Sequence, residues 1–356
     1  MDAQLHRTSP DALRQKKHFM SYPKPLSTQS LEKKYSDACL TGDQRVFLHL
    51  LFSACSNLYG VIHIRDVWDV YRKITDYKPK IHRKDLIAFS SIVQREEQPY
   101  FVLDESELFV DGSERDTERY IVNGQIVGKG PARYAYVYDL LDNQGNRPYN
   151  VPDNFLGNSI SVPSIEETML LDYLRNLKIT LDEYENEWGV KFKCEDKGKR
   201  LGETDTFSFF EKTMIELEKR PSFREHLEKT LSGSKAERMF RKLKLRINIG
   251  TPPFGETVKY LFQEIDENGV VLSEKEDETL LSMIQVFNNK SRLWHNCGWS
   301  PYELSIHLYG KEGAPAGLHR LSIGPNMREH FQNNPKEWED FLRKAKEMGI
   351  EVDDNH

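Results

Sequence analysis

The chain has 356 residues, of which 38% are hydrophobic and 30% are charged, and it carries a net charge of −6 at neutral pH. This length exceeds that of one ordinary hydrophobic core, so we expect two or three globular domains with large charged helix faces. No run of about eighteen apolar residues occurs, which argues against a membrane span, and the net charge gives no overall preference for nucleic acid or acidic membranes.

The cysteines and the first residues predict a cytoplasmic protein. The four cysteines lie far apart without paired spacing, at Cys39, Cys55, Cys194 and Cys297. Such spacing predicts free thiols in a reducing compartment and argues against a disulfide framework or a zinc ribbon. Residues 1–24 contain basic side chains but no apolar stretch after them, so we expect no secretory signal.

The N-terminal third follows the element order of a winged helix-turn-helix module. Residues 1–40 are polar with several prolines, and we expect a flexible arm there. Residues 41–112 then show a helix, a short strand, two further helices and a β-hairpin. The predicted spans are helices over 43–58, with Asp43 as the cap, 65–74 and 84–94, a strand over 61–64, and a hairpin over 100–110.

In such a module the third helix would enter the major groove of DNA. This predicted helix has His82, Arg83 and Lys84 at its start and Arg95 at its end. However, residues 40–112 contain nine Lys or Arg and eleven Asp or Glu, whereas a DNA-binding surface is normally positive. We therefore expect a protein-contact or structural role for the module, with DNA binding as the alternative.

A connector, a helical domain and a C-terminal segment follow the module. Residues 113–163 form the connector, with a helix near 132–141 and prolines that impose extended backbone. Residues 164–310 form a helical domain, because Ser-x-x-Glu capping boxes at Ser164, Ser222, Ser234 and Ser273 precede apolar helical patterns. Its predicted helices span 165–177, 206–220, 223–231, 235–245 and about 274–288. Residues 311–356 are predicted to form a loop and a terminal helix from Pro335 to near Gly349.

The most distinctive stretch is 288–304, which reads NNKSRLWHNCGWSPYEL. Its two asparagines suit the end of a helix, because asparagine tolerates left-handed backbone. Ser300 followed by proline, with Glu303 three residues on, forms the capping box of another helix. The pattern favours a corner between two helices, with Trp294 and Trp299 as core side chains.

The alternative for this stretch is a binding pocket lined by Arg292, Trp294, His295 and Trp299. There Arg292 and His295 would meet an anion or a peptide carboxylate. His295 and Cys297 supply only two of the four ligands that structural zinc requires, so we expect no metal and no cofactor.

A second candidate surface is basic. Residues 229–246 contain seven Lys or Arg and one acid, Glu237, with apolar residues interleaved. This pattern predicts an amphipathic helix that could bind nucleic acid or an acidic protein partner. The candidate contact residues are Arg238, Arg241, Lys242, Lys244 and Arg246. The simpler interpretation is a solvated helix face beside the acidic remainder of the chain.

Common enzyme signatures are absent from the sequence. Residues 124–130 read GQIVGKG, which lacks both the glycine spacing and the Ser or Thr of a phosphate-binding loop. No Gly-x-Ser-x-Gly nucleophile motif occurs. A hydrolase or nuclease-like enzyme with an unrecognised site remains the alternative to a binding protein.

Four stretches together resemble an uncharacterised family of bacterial cytosolic proteins whose members often end in a cysteine-rich SEC-C zinc-binding motif. They are LYGVI at 58–62, RPYNVP at 147–152, the stretch 288–304 and IGPN at 323–326. The chain departs from the family because no paired cysteines follow Gly324, so the zinc-binding tail is absent. The resemblance therefore implies an architecture, without a metal and without a reaction.

The sequence thus predicts a mainly α (α+β) cytoplasmic protein with a winged-helix-like N-terminal module, a β-hairpin and a helical C-terminal domain. We expect a non-enzymatic binding or regulatory protein that acts through protein or nucleic-acid contacts, away from membranes. The sequence leaves the oligomeric state open.

Overall fold

In the computed structural model, the chain divides into two compact units, Met1–Trp299 and Ser300–His356. The structure describes residues 23–128, 132–185, 189, 191–194, 196–204, 233–313, 320–322, 335–336, 338–339, 342 and 351–353. These residues are mainly helical, with a small three-stranded antiparallel sheet.

The first unit begins with a helical and β-sheet region. Its elements are α1 (Thr28–Asp37), α2 (Gly42–Tyr59), β1 (Val61–His63), α3 (Ile64–Lys73), α4 (Arg83–Val93), β2 (Tyr100–Asp104), α5 (Glu105–Leu108) and β3 (Arg119–Asn123). The strand order is β1-β3-β2, and both neighbouring pairs are antiparallel. The three helices and the first strand predicted for this region are thus present, with ends shifted by a residue or two.

The predicted hairpin over 100–110 is wrong in its second strand. Residues 105–108 form the short helix α5, and β2 pairs instead with β3, where Val102 lies opposite Ile121. Asp104 adopts extended backbone and Glu105–Leu108 turn helically after it, so the acidic run ends the strand instead of forming a tight turn. The residues that pair are the β-branched ones of β3, which lie in the predicted connector.

Two helix starts also differ from expectation. Thr41, and not Asp43, caps α2, because its hydroxyl accepts the amide of Gln44 while the Gln44 side chain bonds back to the Thr41 amide. Where a flexible arm was expected, residues 28–37 form α1, and its Tyr35 is fully buried against α4. Residues 1–22 lie outside the described part of the chain.

The rest of the first unit is built from longer helices. They are α6 (Ala135–Gln144), α7 (Ile165–Asn176), α8 (Lys235–Ile249), α9 (Phe254–Glu267) and α10 (Glu274–Lys290). A small antiparallel pair, β4 (Glu183–Glu185) with β5 (Lys191–Lys193), lies between α7 and α8 in sequence. The caps at Ser164, Ser234 and Ser273 are confirmed, whereas the box at Ser222 and the helices predicted over 206–220 and 223–231 lie outside the described residues.

Buried apolar side chains of the first unit form three clusters among the described residues. One lies between α1, α2, α3 and α4, and a second joins α7, α8, α9 and α10. The third lies between them, where the sheet, α6, Ile249 and Trp294 meet. The helical and sheet regions are therefore connected through a shared apolar layer.

The second unit contains α11 (Pro301–Gly313) and a parallel pair, β6 (Arg320–Ser322) with β7 (Glu351–Asp353). The Ser300 capping box is confirmed, since Ser300 and Glu303 each accept the other's backbone amide through their side chains. The predicted helix from Pro335 to near Gly349 lies largely outside the described residues. In the described residues of both units, no helix is both long enough and apolar enough to cross a membrane.

Candidate functional site

Residues 291–299 form a tight loop after α10, which we call the tryptophan corner. A 3-10 helix spans Trp294–Asn296, and the backbone then turns through positive φ at Cys297 (53°) and Gly298 (79°). The amide of Leu293 donates to the carbonyl of Trp299 at 3.1 Å, which closes the loop. A Cβ at position 298 would lie 2.8 Å from the Tyr59 ring, so glycine is needed for close packing as well as for its φ.

All four side chains predicted to line a pocket here contact backbone carbonyls. Trp294 is buried and its Nε1 donates to Asn57 O at 2.8 Å, while Trp299 Nε1 donates to Pro148 O at 2.8 Å. Arg292 Nη1 donates to Gly298 O at 3.1 Å. His295 Nδ1 lies 3.1 Å from Asn248 O, and because a carbonyl only accepts, this nitrogen carries the proton.

Two side chains of the connector, residues 113–163, donate hydrogen bonds to the tryptophan corner. Gln144 is buried and its Nε2 donates to the carbonyls of Tyr59, Val61 and Trp294. Asn150 donates from its amide to Cys297 O and from its side chain to Gly298 O. Residues of the stretches 58–62 and 147–152 therefore meet the tryptophan corner at this point.

Burial sets the electrostatics of the tryptophan corner. Desolvation lowers the pKa of His295 below its ordinary value, so the ring is neutral near pH 7. Desolvation also raises the pKa of the Cys297 thiol to about 12, which disfavours a thiolate. The neutral His295 ring, through its contact with Asn248 O, joins the tryptophan corner to the C-terminal end of α8.

The basic helix predicted over 229–246 is observed from Lys235 onward as α8. One face is buried in the second apolar cluster, through residues that include Met239, Phe240 and Leu243. This helix therefore lies between α7 and α9 as part of the core, with its cations at the rim.

Those cations have partners within the chain. Lys242 Nζ lies 2.5 Å from Glu264, and Lys244 Nζ lies 2.8 Å from Glu167, whose side chain is only 11% exposed. Arg246 stacks over the ring of Tyr260 at 4.4 Å. Arg238 and Arg241 are also engaged in interactions. Lys242 and Arg246 border a groove of about 170 Å³ between α8 and α9.

A different basic surface is present between α3 and α4, and we call Arg72–Lys84 the cationic edge. Its sequence holds six Lys or Arg and one acid, Asp76. Lys73, Lys80, Arg83 and Lys84 are exposed, and within the described residues their side chains make no hydrogen bond, ion pair or ring contact. Arg72 has only an exposed pair with Asp69 at 3.7 Å.

Several acids of the module that lie outside this edge are already paired. Glu118 lies 2.5 Å from Arg65 Nη2 and 3.3 Å from His63 Nε2. Asp104 and Asp116 both pair with the buried Arg119 at 2.6 and 2.5 Å. The excess of acids counted over residues 40–112 therefore includes acids that are already paired, whereas Lys73, Lys80, Arg83 and Lys84 have no side-chain partner among the described residues.

Arg83 and Lys84 of this edge were predicted from the sequence as the start of the DNA-contacting helix, but Lys73 and Lys80 were missed because the net charge of the whole module is negative. The local signal is present at 72–84, where cations outnumber acids six to one. The predicted contact residue Arg95 lies apart from it, since its Nε donates to Lys24 O near the N-terminal segment. Among the described residues, no three His, Cys, Asp or Glu side chains are grouped so that they could hold a metal ion.

No protein-family model matches the chain, and neither a curated protein nor a solved structure matches it.

Proposed function

We propose that the chain is a non-enzymatic binding protein that engages nucleic acid through the cationic edge of a winged-helix-like module. The observation that carries the proposal is the set of four exposed cations whose side chains have no partner among the described residues, Lys73, Lys80, Arg83 and Lys84. Unpaired Lys and Arg side chains can replace the counterions of a phosphate backbone, which is the main source of sequence-independent affinity.

The element order supports a winged-helix-like interpretation of the module. The order α2, β1, α3, α4, β2, β3 with the sheet order β1-β3-β2 is that expected for a helix-turn-helix followed by a wing. In that arrangement α4 would be the helix that faces the nucleic acid, and the cationic edge includes its first turn. The exposed face of α4 runs from Arg83 and Lys84 past the half-buried Ile87 and Ser91.

A protein partner is the second candidate, and the segment between β2 and β3 favours it. Residues 105–118 contain six acids and one arginine. Asp111 and Glu114 in this segment are exposed and have no side-chain partner among the described residues. A basic protein surface would complement this segment, whereas a phosphate backbone would be repelled by it.

Salt-dependent binding tests the proposal. We expect the protein to bind mixed-sequence DNA or RNA, with log K falling against log salt at a slope of about −3 to −4 if four phosphates are contacted. The Lys80→Glu, Arg83→Glu double variant should bind more weakly and with a shallower slope. Absence of binding by the parent protein at low salt would contradict the proposal.

A further inference from the structure

We infer that Tyr77 is a stacking platform for an unpaired base, so that the ligand of the cationic edge is single-stranded nucleic acid. This inference rests on the proposed function and narrows it. It is carried by the position of one aromatic ring, by the contacts that fix the loop around it, and by the charges beside it.

Tyr77 is exposed to an unusual extent. Its side chain is 93% accessible, and the next most exposed large apolar side chain of the described residues, Ile165, is at 76%. Tyrosines usually bury most of the ring and keep only the hydroxyl in water. Because the described residues leave this ring almost fully exposed, both of its faces are available for a ligand.

The residues on either side of Tyr77 are fixed to the body of the module. Asp76 accepts the amide of Leu156 through its carboxylate at 3.3 Å. Lys78 Nζ donates to the carbonyls of Tyr71 and Ile74 at 2.7 Å each, and it lies 4.8 Å from the Tyr71 ring centre. Because both neighbours point inward, Tyr77 projects outward.

The base of the loop is fixed as well. The Tyr71 hydroxyl donates to Pro79 O at 3.1 Å and accepts the amide of Ile81 at 3.3 Å. Ile74 and Ile81 are buried in the apolar cluster of the module. A loop held at both ends loses little conformational entropy when a ligand orders it, which favours binding.

The charges around the ring match a nucleotide chain. Arg72 and Lys73 end α3 before the loop, Lys80 follows Tyr77 within it, and Arg83 and Lys84 begin α4. All five are exposed. Proteins that bind single strands combine cations that follow the phosphates with aromatic rings on which bases stack. In a duplex the bases are already stacked on one another, so a ring at this position gains a partner only from an unpaired base.

The test compares three probes: a single strand of about 12 nucleotides, a single strand of the same length whose central nucleotides are abasic, and a duplex of the same sequence. The two single strands carry equal backbone charge, and the duplex carries about twice as much, so charge alone would favour the duplex. For the parent protein we expect the intact single strand to bind most tightly. Tyr77→Ala should weaken binding of this strand roughly 5- to 150-fold, from the usual contribution of one base–aromatic stack. Binding of the abasic strand should not change, and Tyr77→Phe should bind like the parent.

Each of the other possible outcomes overturns the stacking inference, the proposed function or both. If Tyr77→Ala binds the single strand like the parent while Lys80→Glu, Arg83→Glu binds weakly, the stacking inference fails and the proposed function stands. If duplex binding falls as much as single-strand binding in Tyr77→Ala, the single-strand assignment is overturned. If polyglutamate competes as well as the nucleic acid does, the edge takes an acidic protein segment. If no probe binds the parent, both proposals fail.

Discussion

The tryptophan corner and the cationic edge use polar side chains in opposite ways. At the corner, Arg292, Trp294, His295 and Trp299 all contact backbone carbonyls of the same chain. At the edge, four cations contact no other described side chain or carbonyl. Polar groups that are satisfied internally stabilise the fold, whereas exposed groups without partners are available for a ligand. The tryptophan corner, which has the more distinctive sequence of the two, is therefore the region whose polar side chains are satisfied within the fold.

Helix α8 resembles the tryptophan corner in that its polar side chains have partners within the fold. It has a higher local positive charge than most of the chain, yet Lys242, Lys244 and Arg246 are each paired within the fold. Positive charge in the sequence alone thus does not distinguish a surface that binds anions from one that is neutralised by neighbouring acids.

The largest effect is expected at the corner. Trp294→Ala should lower the free energy of unfolding by about 3 to 5 kcal/mol, because it removes a buried ring and leaves Asn57 O without its donor. Urea denaturation measures this change. The matched control is Tyr77→Ala at the edge, where truncating an exposed ring should change stability by less than about 0.5 kcal/mol. Similar losses in both variants would remove the distinction between the two regions.

A smaller loss is expected in α8. Lys244→Met should destabilise the protein by about 1 to 3 kcal/mol, because the mostly buried Glu167 loses the cation that pairs with it. Adding Glu167→Gln should restore part of this loss, since the uncompensated charge is then gone. Lys84→Met, at an exposed cation without a partner, is the control. If Lys244→Met does not lower the free energy of unfolding, Lys244 of α8 would contribute as little to stability as the cations of the cationic edge.

Acid should weaken the buried histidines' contribution to stability. Desolvation lowers the pKa of both His63 and His295 from the ordinary value of 6.5. At pH values near and just below 6.5, the unfolded chain therefore binds more protons than the folded one. Unfolding free energy should therefore be fully retained above about pH 6.5 and fall as pH decreases below it. Chemical denaturation across pH gives this profile.

The variant His63→Asn tests how much of this pH dependence comes from His63. Neutral His63 accepts the Arg65 amide and so caps α3. Asparagine is a good helix cap and does not titrate, so the variant should show a shallower pH dependence with little loss of stability at neutral pH. A stability that rises on acidification, or a slope unchanged in this variant, would contradict the assignment of neutral histidines.

The smallest effect on stability is expected at the cationic edge. Lys80→Glu with Arg83→Glu should change the free energy of unfolding by less than about 0.5 kcal/mol, because neither side chain has a partner to lose in the part of the chain that the structure describes. Thermal denaturation compared with the parent measures this. A large loss would show that the two cations contribute to folding.

Elements with strong end signals could be predicted from the sequence. The helices after Ser234 and Ser273 begin where their capping boxes indicate, because the box satisfies amides that helix formation leaves without acceptors. Helix α9 was missed because it begins after Pro253, which makes no side-chain cap. Strand β3 was missed because its partner β2 lies fifteen residues earlier and α5 interrupts the connection.

The candidate site could be predicted only in part. The sequence identified the corner as a turn, since Gly298 and the Ser300 cap are local features. Of the two tryptophans predicted as core side chains, Trp294 is buried whereas Trp299 is only half-buried. It could not show which acids lie beside α8, because Glu167 and Glu264 reach it from other helices. It could not show that Tyr77 is exposed, because the contacts of Asp76 and Lys78 that direct it outward depend on the tertiary fold.

The most direct test of the central claim compares charge reversals at the two basic surfaces in one binding experiment. Lys80→Glu with Arg83→Glu changes the cationic edge, and Lys242→Glu with Arg246→Glu changes α8 by the same charge. In salt-dependent binding to mixed-sequence single-stranded nucleic acid, the edge variant should lose affinity and salt dependence, while the α8 variant, where it remains folded, should bind like the parent. Loss of binding in a folded α8 variant, with binding unchanged in the edge variant, would contradict the account.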